Sequence, residues 1–132
     1  LLARVQATLA EANQHPELEE HVAAIGQALE QVGAATAALM GAAMEGKVRL
    51  FLANASVYLD MLGHAVIGWI WLQQAIVAQR ALSKGGLGED AQRFYRGKLQ
   101  ACQFFTRWEL PKIGPWSKLL ASLDDTTLHA EF

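Results

Sequence analysis

The chain has 132 residues, enough for one domain that buries a core without staples. Eleven Lys and Arg stand against thirteen Asp and Glu, a formal net charge of −2, and this leaves no basic excess for nucleic acid. A hydrophobic content of 52% excludes a disordered tail. The single cysteine, Cys102, excludes an internal disulfide and a multi-cysteine metal site, and points to a reducing, cytoplasmic compartment.

The chain starts at Leu1, directly in an amphipathic pattern with no charged n-region or cleavage site, and reads as a piece excised from a longer protein. Residues 1–12 predict a short helix with Leu2, Val5 and Leu9 on one side. "NQHP" breaks it, and Pro16 suits the first turn of the next helix, with Glu17, Glu19 and Glu20 near its positive end. From there Leu18, Val22, Ile25, Leu29, Val32, Thr36, Leu39 and Ala43 recur at steps of four and three, a seam for partner helices. Gly33, Ala37 and Gly41 add small residues four apart, which predict a close backbone approach.

"EGK" at 45–47 is either a break or a soft point between two helices, and a long central helix follows over Lys47–Leu82. "SKGGLGED" at 83–90 is the clearest loop. A helix over 89–110 follows, with a solvent stripe of Arg93, Arg96, Gln100, Gln103 and Arg107. Its opposite side carries Phe94, Tyr95, Leu99, Cys102 and Phe105. Leu110 and Pro111 end it, and a short helix around 115–122 leads into a polar tail. Long helices joined by short connections predict an all-α, up-and-down antiparallel bundle, a single domain over residues 1–132.

The central segment is apolar enough to invite a membrane reading, but residues 57–78 contain Asp60, His64, Gln73 and Gln74. Charges are rare and costly in a spanning helix, so burial inside protein is the simpler account. Ser56, Asp60 and His64 lie at four-residue steps along one stripe. A catalytic triad needs the histidine between serine and carboxylate, whereas here the carboxylate is in the middle. The stripe therefore predicts a structural polar cluster in which Asp60 pairs with His64.

A di-iron bundle needs Glu-x-x-His on two helices, and Glu17 to His21 is one residue too long. "GGLG" at 85–88 lacks both phosphate-loop spacings, and no strand precedes it. No catalytic, cofactor-binding or metal-ligating residue is assigned. The arginine stripe is a solvated face, or a docking surface for an acidic partner. Trp69 and Trp71, two apart, point to different sides of the central helix, so one fills the core and the other is a candidate interface residue.

"LANASVYLDMLGHAVIGWIWLQQA" (52–75) and "FYRGKLQACQFFTRWELP" (94–111) resemble the C-terminal helical extension of bacterial acyl-CoA dehydrogenases. The marks are Ala55, Tyr58, Leu59, Gly63 and Trp69, then Phe94, Tyr95, Lys98, Phe105, Leu110 and Pro111, all packing residues. The resemblance implies a flavoenzyme that takes hydrogens from the α and β carbons of an acyl-CoA thioester. A glutamate base, FAD and an electron-transfer flavoprotein serve that reaction, and the glutamate and most flavin contacts lie upstream of this segment. It also implies bracing against the dehydrogenase core and like subunits in a homo-oligomer, without a flavin on this piece. The other reading is an independent helical protein–protein interaction module.

Overall fold

The computed structural model describes residues 1–131. The elements are α1 (Leu2–Ala12), α2 (Glu19–Met44), α3 (Val48–Leu52), α4 (Ala55–Lys84), α5 (Glu89–Phe104) and α6 (Ile113–Ala121). Short 3₁₀ turns precede α2 (Pro16–Leu18), precede α6 (Leu110–Lys112) and close the chain (Thr126–Leu128). A π-helical turn, Phe105–Glu109, continues α5. No strand occurs among the described residues, and the all-α bundle is as the periodicity predicts.

Local chemistry accounts for most ends. Glu19 and Glu20 sit in the first turn of α2, where the helix dipole favours them. At the other end Gly46 takes φ 78°, while Lys47 N–H donates to Ala42 C=O (2.9 Å) and Gly46 N–H to Ala43 C=O (3.0 Å). This paired closure needs a left-handed residue, which glycine supplies without strain.

The central helix is not continuous from Lys47. It breaks at Ala53 and Asn54, giving α3 and then α4, and runs two residues past Leu82 to Lys84. The cause lies in the tail. Asn54 Nδ2 donates to Asp124 C=O (2.9 Å), and Thr127 Oγ1 donates to Ala53 C=O (3.1 Å). The backbone carbonyl of Ala53 therefore bonds the tail, and the Asn54 side chain ties the turn to it.

Antiparallel pairing is visible in the bonds. Thr36 and Tyr58 hydroxyls meet at 3.0 Å, and Ile25 reaches Gly68, so α2 and α4 run in opposite directions. Lys98 Nζ donates to Gln74 Oε1 (2.9 Å), and Glu109 meets His64 (3.1 Å), so α4 and α5 do too. The arm then continues into α6, which packs on α2 and α4: Ser117 Oγ donates to Gln31 C=O (2.7 Å). The fourth arm is thus one helix bent by its π turn, where an α-helical Pro111 would clash with the carbonyl of Arg107.

The core runs through Val5, Leu18, Ile25, Met61, Leu72, Ile76, Ile113 and Leu120. On α2 the most buried line is His21, Ile25, Ala28, Ala35, Leu39 and Ala42, so much of the expected seam forms its flank. Its alanines let α4 and α6 approach α2 from two sides. The expected close approach at Gly33, Ala37 and Gly41 does not occur; all three are exposed, and a Cβ on either glycine would meet nothing within 4 Å. The close approach is at Gly68, where a Cβ would lie 2.7 Å from Leu110 Cδ1 and 2.9 Å from Ile25 Cδ1.

With 30 residues and a mean hydropathy of 1.3 over its most apolar window, α4 is long and apolar enough to cross a membrane by those measures. Its buried face, from Met61 through Ala78, is packed against α1, α2, α5 and α6, as in the core helix of a bundle.

Candidate functional site

Ser56, Asp60 and His64 share a stripe of α4 but do not form the expected cluster. Ser56 and Asp60 are exposed, and His64 takes a different acid. Its Nδ1 meets the backbone oxygen of Asp60 at 3.0 Å, and its Nε2 meets Glu109 Oε2 at 3.1 Å. A helical side chain leans back over the preceding turn, so His64 reaches the carbonyl one turn earlier. Both ring nitrogens thus face oxygen atoms, one on its own helix and one on the turn that follows α5.

Lys112 Nζ donates to the same Glu109 oxygen (2.7 Å). The Lys112 hydrogen bond, then the His64 bond, hold the Glu109 carboxyl below its ordinary range. Trp116 closes edge-on against the imidazole at 4.8 Å, and Phe105 lies at 5.9 Å. This knot ties α4 to the π turn and to α6. Its contacts, an imidazole and an ammonium on one carboxylate, are those of a clamp between elements.

A second polar contact is buried beneath the start of α2. His21 Nδ1 and Thr106 Oγ1 are 3.0 Å apart, with Cys102 alongside. Burial lowers the His21 pKa, against the pull of the neighbouring Glu20 carboxylate. Burial pushes the Cys102 thiol up to about 11, against its hydrogen bond to Thr106, so it is a poor nucleophile at neutral pH. Above them Arg107 makes a fork to Glu20 (2.8 and 3.0 Å), which neutralises one member of the arginine stripe. Arg93 and Arg96 line an open groove of about 720 Å³, but Glu17 and Glu20 line it too. That mixed lining gives an acidic partner no one-signed surface. Among the described residues no three His, Cys, Asp or Glu side chains gather as a metal site.

The tryptophans divide differently from a core-and-interface pair. Trp69 is buried, and its Nε1–H donates to Thr8 Oγ1 (2.8 Å), fastening α1 to α4. Trp71 is half-buried beside Lys98, whose Nζ lies 5.6 Å from its ring. The exposed indole is Trp108, 68% accessible and stacked on Phe104. Phe94 was expected inward and is 59% accessible, because α5 packs on α4 through Tyr95, Lys98 and Cys102 and leaves Phe94 at the outer edge.

Among the described residues apolar surface is open in several places. One is a groove of about 430 Å³ between α1, α2 and α4, lined by Leu1, Leu2, Val32, Leu62 and Val66 among others. Another lies on α4 and the α5 arm, where Ile67, Ile70, Val77, Phe94, Phe104 and Trp108 are exposed. A third surrounds α3, where Met40, Met44, Val48 and Leu52 are exposed beside a groove lined by Leu39, Phe51 and Tyr58.

A family described as acetyl-CoA dehydrogenase C-terminal like matches residues 1–131. The chain belongs to this family. It is 32% identical over 119 residues to the broad-specificity linear acyl-CoA dehydrogenase FadE5 of Mycobacterium tuberculosis. That match covers 86% of the chain and 19% of the relative, so the chain spans about a fifth of the length of the curated relative it matches. In this acyl-CoA dehydrogenase C-terminal domain four of the eleven residues that carry the resemblance join elements, whereas Leu59 and Phe94, expected to pack, are exposed. Tyr58 bonds α2, Trp69 bonds α1, Lys98 bonds α4, and Leu110 packs on Gly68.

Proposed function

We propose that residues 1–132 are the C-terminal bracing and oligomerisation domain of a cytoplasmic, FAD-dependent acyl-CoA dehydrogenase. The full-length enzyme removes hydrogens from the α and β carbons of an acyl-CoA thioester and passes electrons to an electron-transfer flavoprotein. The observation that carries the bracing role is the apolar groove between α1, α2 and α4, whose side chains this chain alone leaves open. Its chemistry suits the apolar surface of a dehydrogenase core.

The flavin belongs with the rest of the enzyme. The one glycine-rich loop, Gly85–Gly88, leads into α5, but Glu89 and Asp90 occupy the first turn of that helix. Two carboxylates there oppose the diphosphate that a helix start would otherwise attract. The Mechanism in this chain is therefore one of positioning: it buries apolar surface of its neighbours and fixes their relative placement.

The test compares the full-length enzyme with a form ending just before Leu1. Loss of this domain is expected to lower the subunit number or the thermal stability, and to weaken flavin retention, while the chain alone purifies without flavin absorbance. A truncated enzyme with unchanged assembly, stability and flavin content would refute the bracing role.

A further inference from the structure

We propose that the segment after Leu123 is a releasable strap that keeps α3 and α4 as two helices, and that the two become one helix, residues 48–84, when the strap comes away. Asn54 is the hinge.

Nothing in the local sequence calls for the break. Residues 47–62 contain neither proline nor glycine. Ala53 is already helical, with φ −52° and ψ −37°. Asn54 departs, at φ −123° and ψ 35°, so turning this one residue into the helical region joins the two helices.

The broken form leaves the start of α4 poorly served. Its ladder begins with Tyr58 N–H on Asn54 C=O (3.2 Å), so the amides of Ala55, Ser56 and Val57 stand ahead of it. Asparagine is a favoured N-cap, yet this one makes no cap bond, because its side-chain amide donates to Asp124 C=O (2.9 Å). The carbonyl of Ala53 likewise takes the Thr127 hydroxyl (3.1 Å) in place of an amide one turn on. In a continuous helix the three amides bond Phe51, Leu52 and Ala53 C=O. The tail supplies from outside what the helix would supply from within.

The joined form also fits the bundle. Phe51, Asn54 and Tyr58 extend backwards, at steps of three and four, the inward line of Met61, Ala65, Gly68, Leu72 and Ala75. Thr36 and Tyr58 lie side by side; from them α2 runs on to Met44, about 12 Å, and a joined helix runs back to Val48, about 15 Å. Residues 45–47 then still close an antiparallel helix pair. No residue of α3 is buried, so little packing resists the swing.

The strap is folded as a unit. The Asp124 carboxylate accepts from Thr126 N–H (3.2 Å) and from Thr126 Oγ1 (3.1 Å). It leaves α6 through Leu123, held at φ 53°, a region that glycine enters freely and leucine does not. Release relaxes that residue, and joining removes an uncapped helix start, so two discrete forms are available. A groove of about 170 Å³ between α2, α3 and α4, lined by Leu39, Met40, Phe51, Leu52 and Tyr58 among others, belongs to the fastened form. Joining carries Phe51 and Leu52 away from Leu39 and Met40. The strap therefore sets which apolar surface this end of the bundle displays.

The test is amide hydrogen exchange, read residue by residue by NMR. It compares the 132-residue chain with a form ending at Leu123 and with full-length Asn54→Ala/Thr127→Val. In the intact chain the Ala55, Ser56 and Val57 amides are expected to exchange quickly. In both released forms they are expected to slow at least about tenfold, since each gains a backbone bond. A freed Asn54 that merely caps α4 would slow them in the shortened form alone, because Asn54→Ala has no cap to offer. Ala55→Pro suits the first position of α4 but not a helix interior, so adding it to either released form is expected to restore fast exchange at Ser56 and Val57. The buried Leu72 and Ile76 report whether the bundle is intact.

If the strap is only a loose end, the three amides stay fast or speed up on its release, and the proposal fails. Slow exchange already present in the intact chain overturns it, as does slowing confined to the shortened form or slowing that survives Ala55→Pro. Protection lost at Leu72 and Ile76 in both released forms overturns it too, because the tail would then be part of the core.

Discussion

Gly68→Ala and Gly33→Ala make the same chemical change within two long helices and should differ in sign. Alanine gains about 0.8–1 kcal/mol over glycine in a helix interior, and this applies to both sites. At Gly33 a Cβ meets nothing within 4 Å, so most of the gain survives. At Gly68 the new carbon would stand 2.7 Å from Leu110 Cδ1 and 2.9 Å from Ile25 Cδ1. Both neighbours are buried in the core and have little room to turn aside. Overpacking of this kind costs about 1–3 kcal/mol, so Gly68→Ala should come out between neutral and about 2 kcal/mol destabilising.

The quantity to measure is the gap between the two variants, expected at about 1–3 kcal/mol. Urea unfolding at fixed pH reads it, provided that the slope m stays constant. Leu110→Ala in the Gly68→Ala background adds a second check, because removing the clashing methyl should recover part of the loss as a coupling term. If Gly68→Ala stabilises as much as Gly33→Ala, then α2, α4 and the 3₁₀ turn do not converge as described. The reasoning would fail at its centre.

The buried His21 should make stability fall with acid. Its pKa is lowered by burial, so the unfolded chain binds the proton first: stability is full above about pH 6.5 and declines as pH falls toward the folded value. At pH 5.5 the loss should be up to about 1 kcal/mol, and His21→Gln should remove that part of the slope in paired urea titrations. Cys102 should resist thiol reagents at pH 8 while folded and react promptly in denaturant; rapid native labelling would contradict its burial. Asn54→Ala removes the bond to Asp124, costing about 1 kcal/mol, and should expose the tail beyond Leu123 to proteolysis sooner than the helices.

How much was legible before the structure depends on how far each residue's partner lies along the chain. Pro16, the 83–90 loop and the glycine-rich points announced helix ends because capping and turn chemistry is local. The break at Asn54 was hidden, since its reason is Asp124 and Thr127, some seventy residues on. Likewise a four-residue step named Asp60 as the partner of His64, whereas the carboxylate that reaches it, Glu109, comes from a turn widened ahead of Pro111. Phe94 was assigned inward because α5 was read as having one neighbour-facing half, and α4 covers only part of that half. The site suffers more than the fold from this limit, because it consists of contacts between distant segments.

The same reasoning explains how a chain without a legible reaction still shows its family. Tyr58, Trp69, Lys98 and Leu110 carry the resemblance, and each fixes how α4 or the α5 arm meets another element. Thr36, Thr8 and Gln74 supply the matching polar atoms, while Gly68 supplies the space that Leu110 needs. The identifying chemistry of this domain thus includes the joints that set its shape. Its outward surfaces, Trp108 and the Leu1–Leu2 groove among them, then depend on those joints for their placement. Loosening Gly68 or the Asn54 turn should therefore disturb assembly even though neither residue lies on an open face.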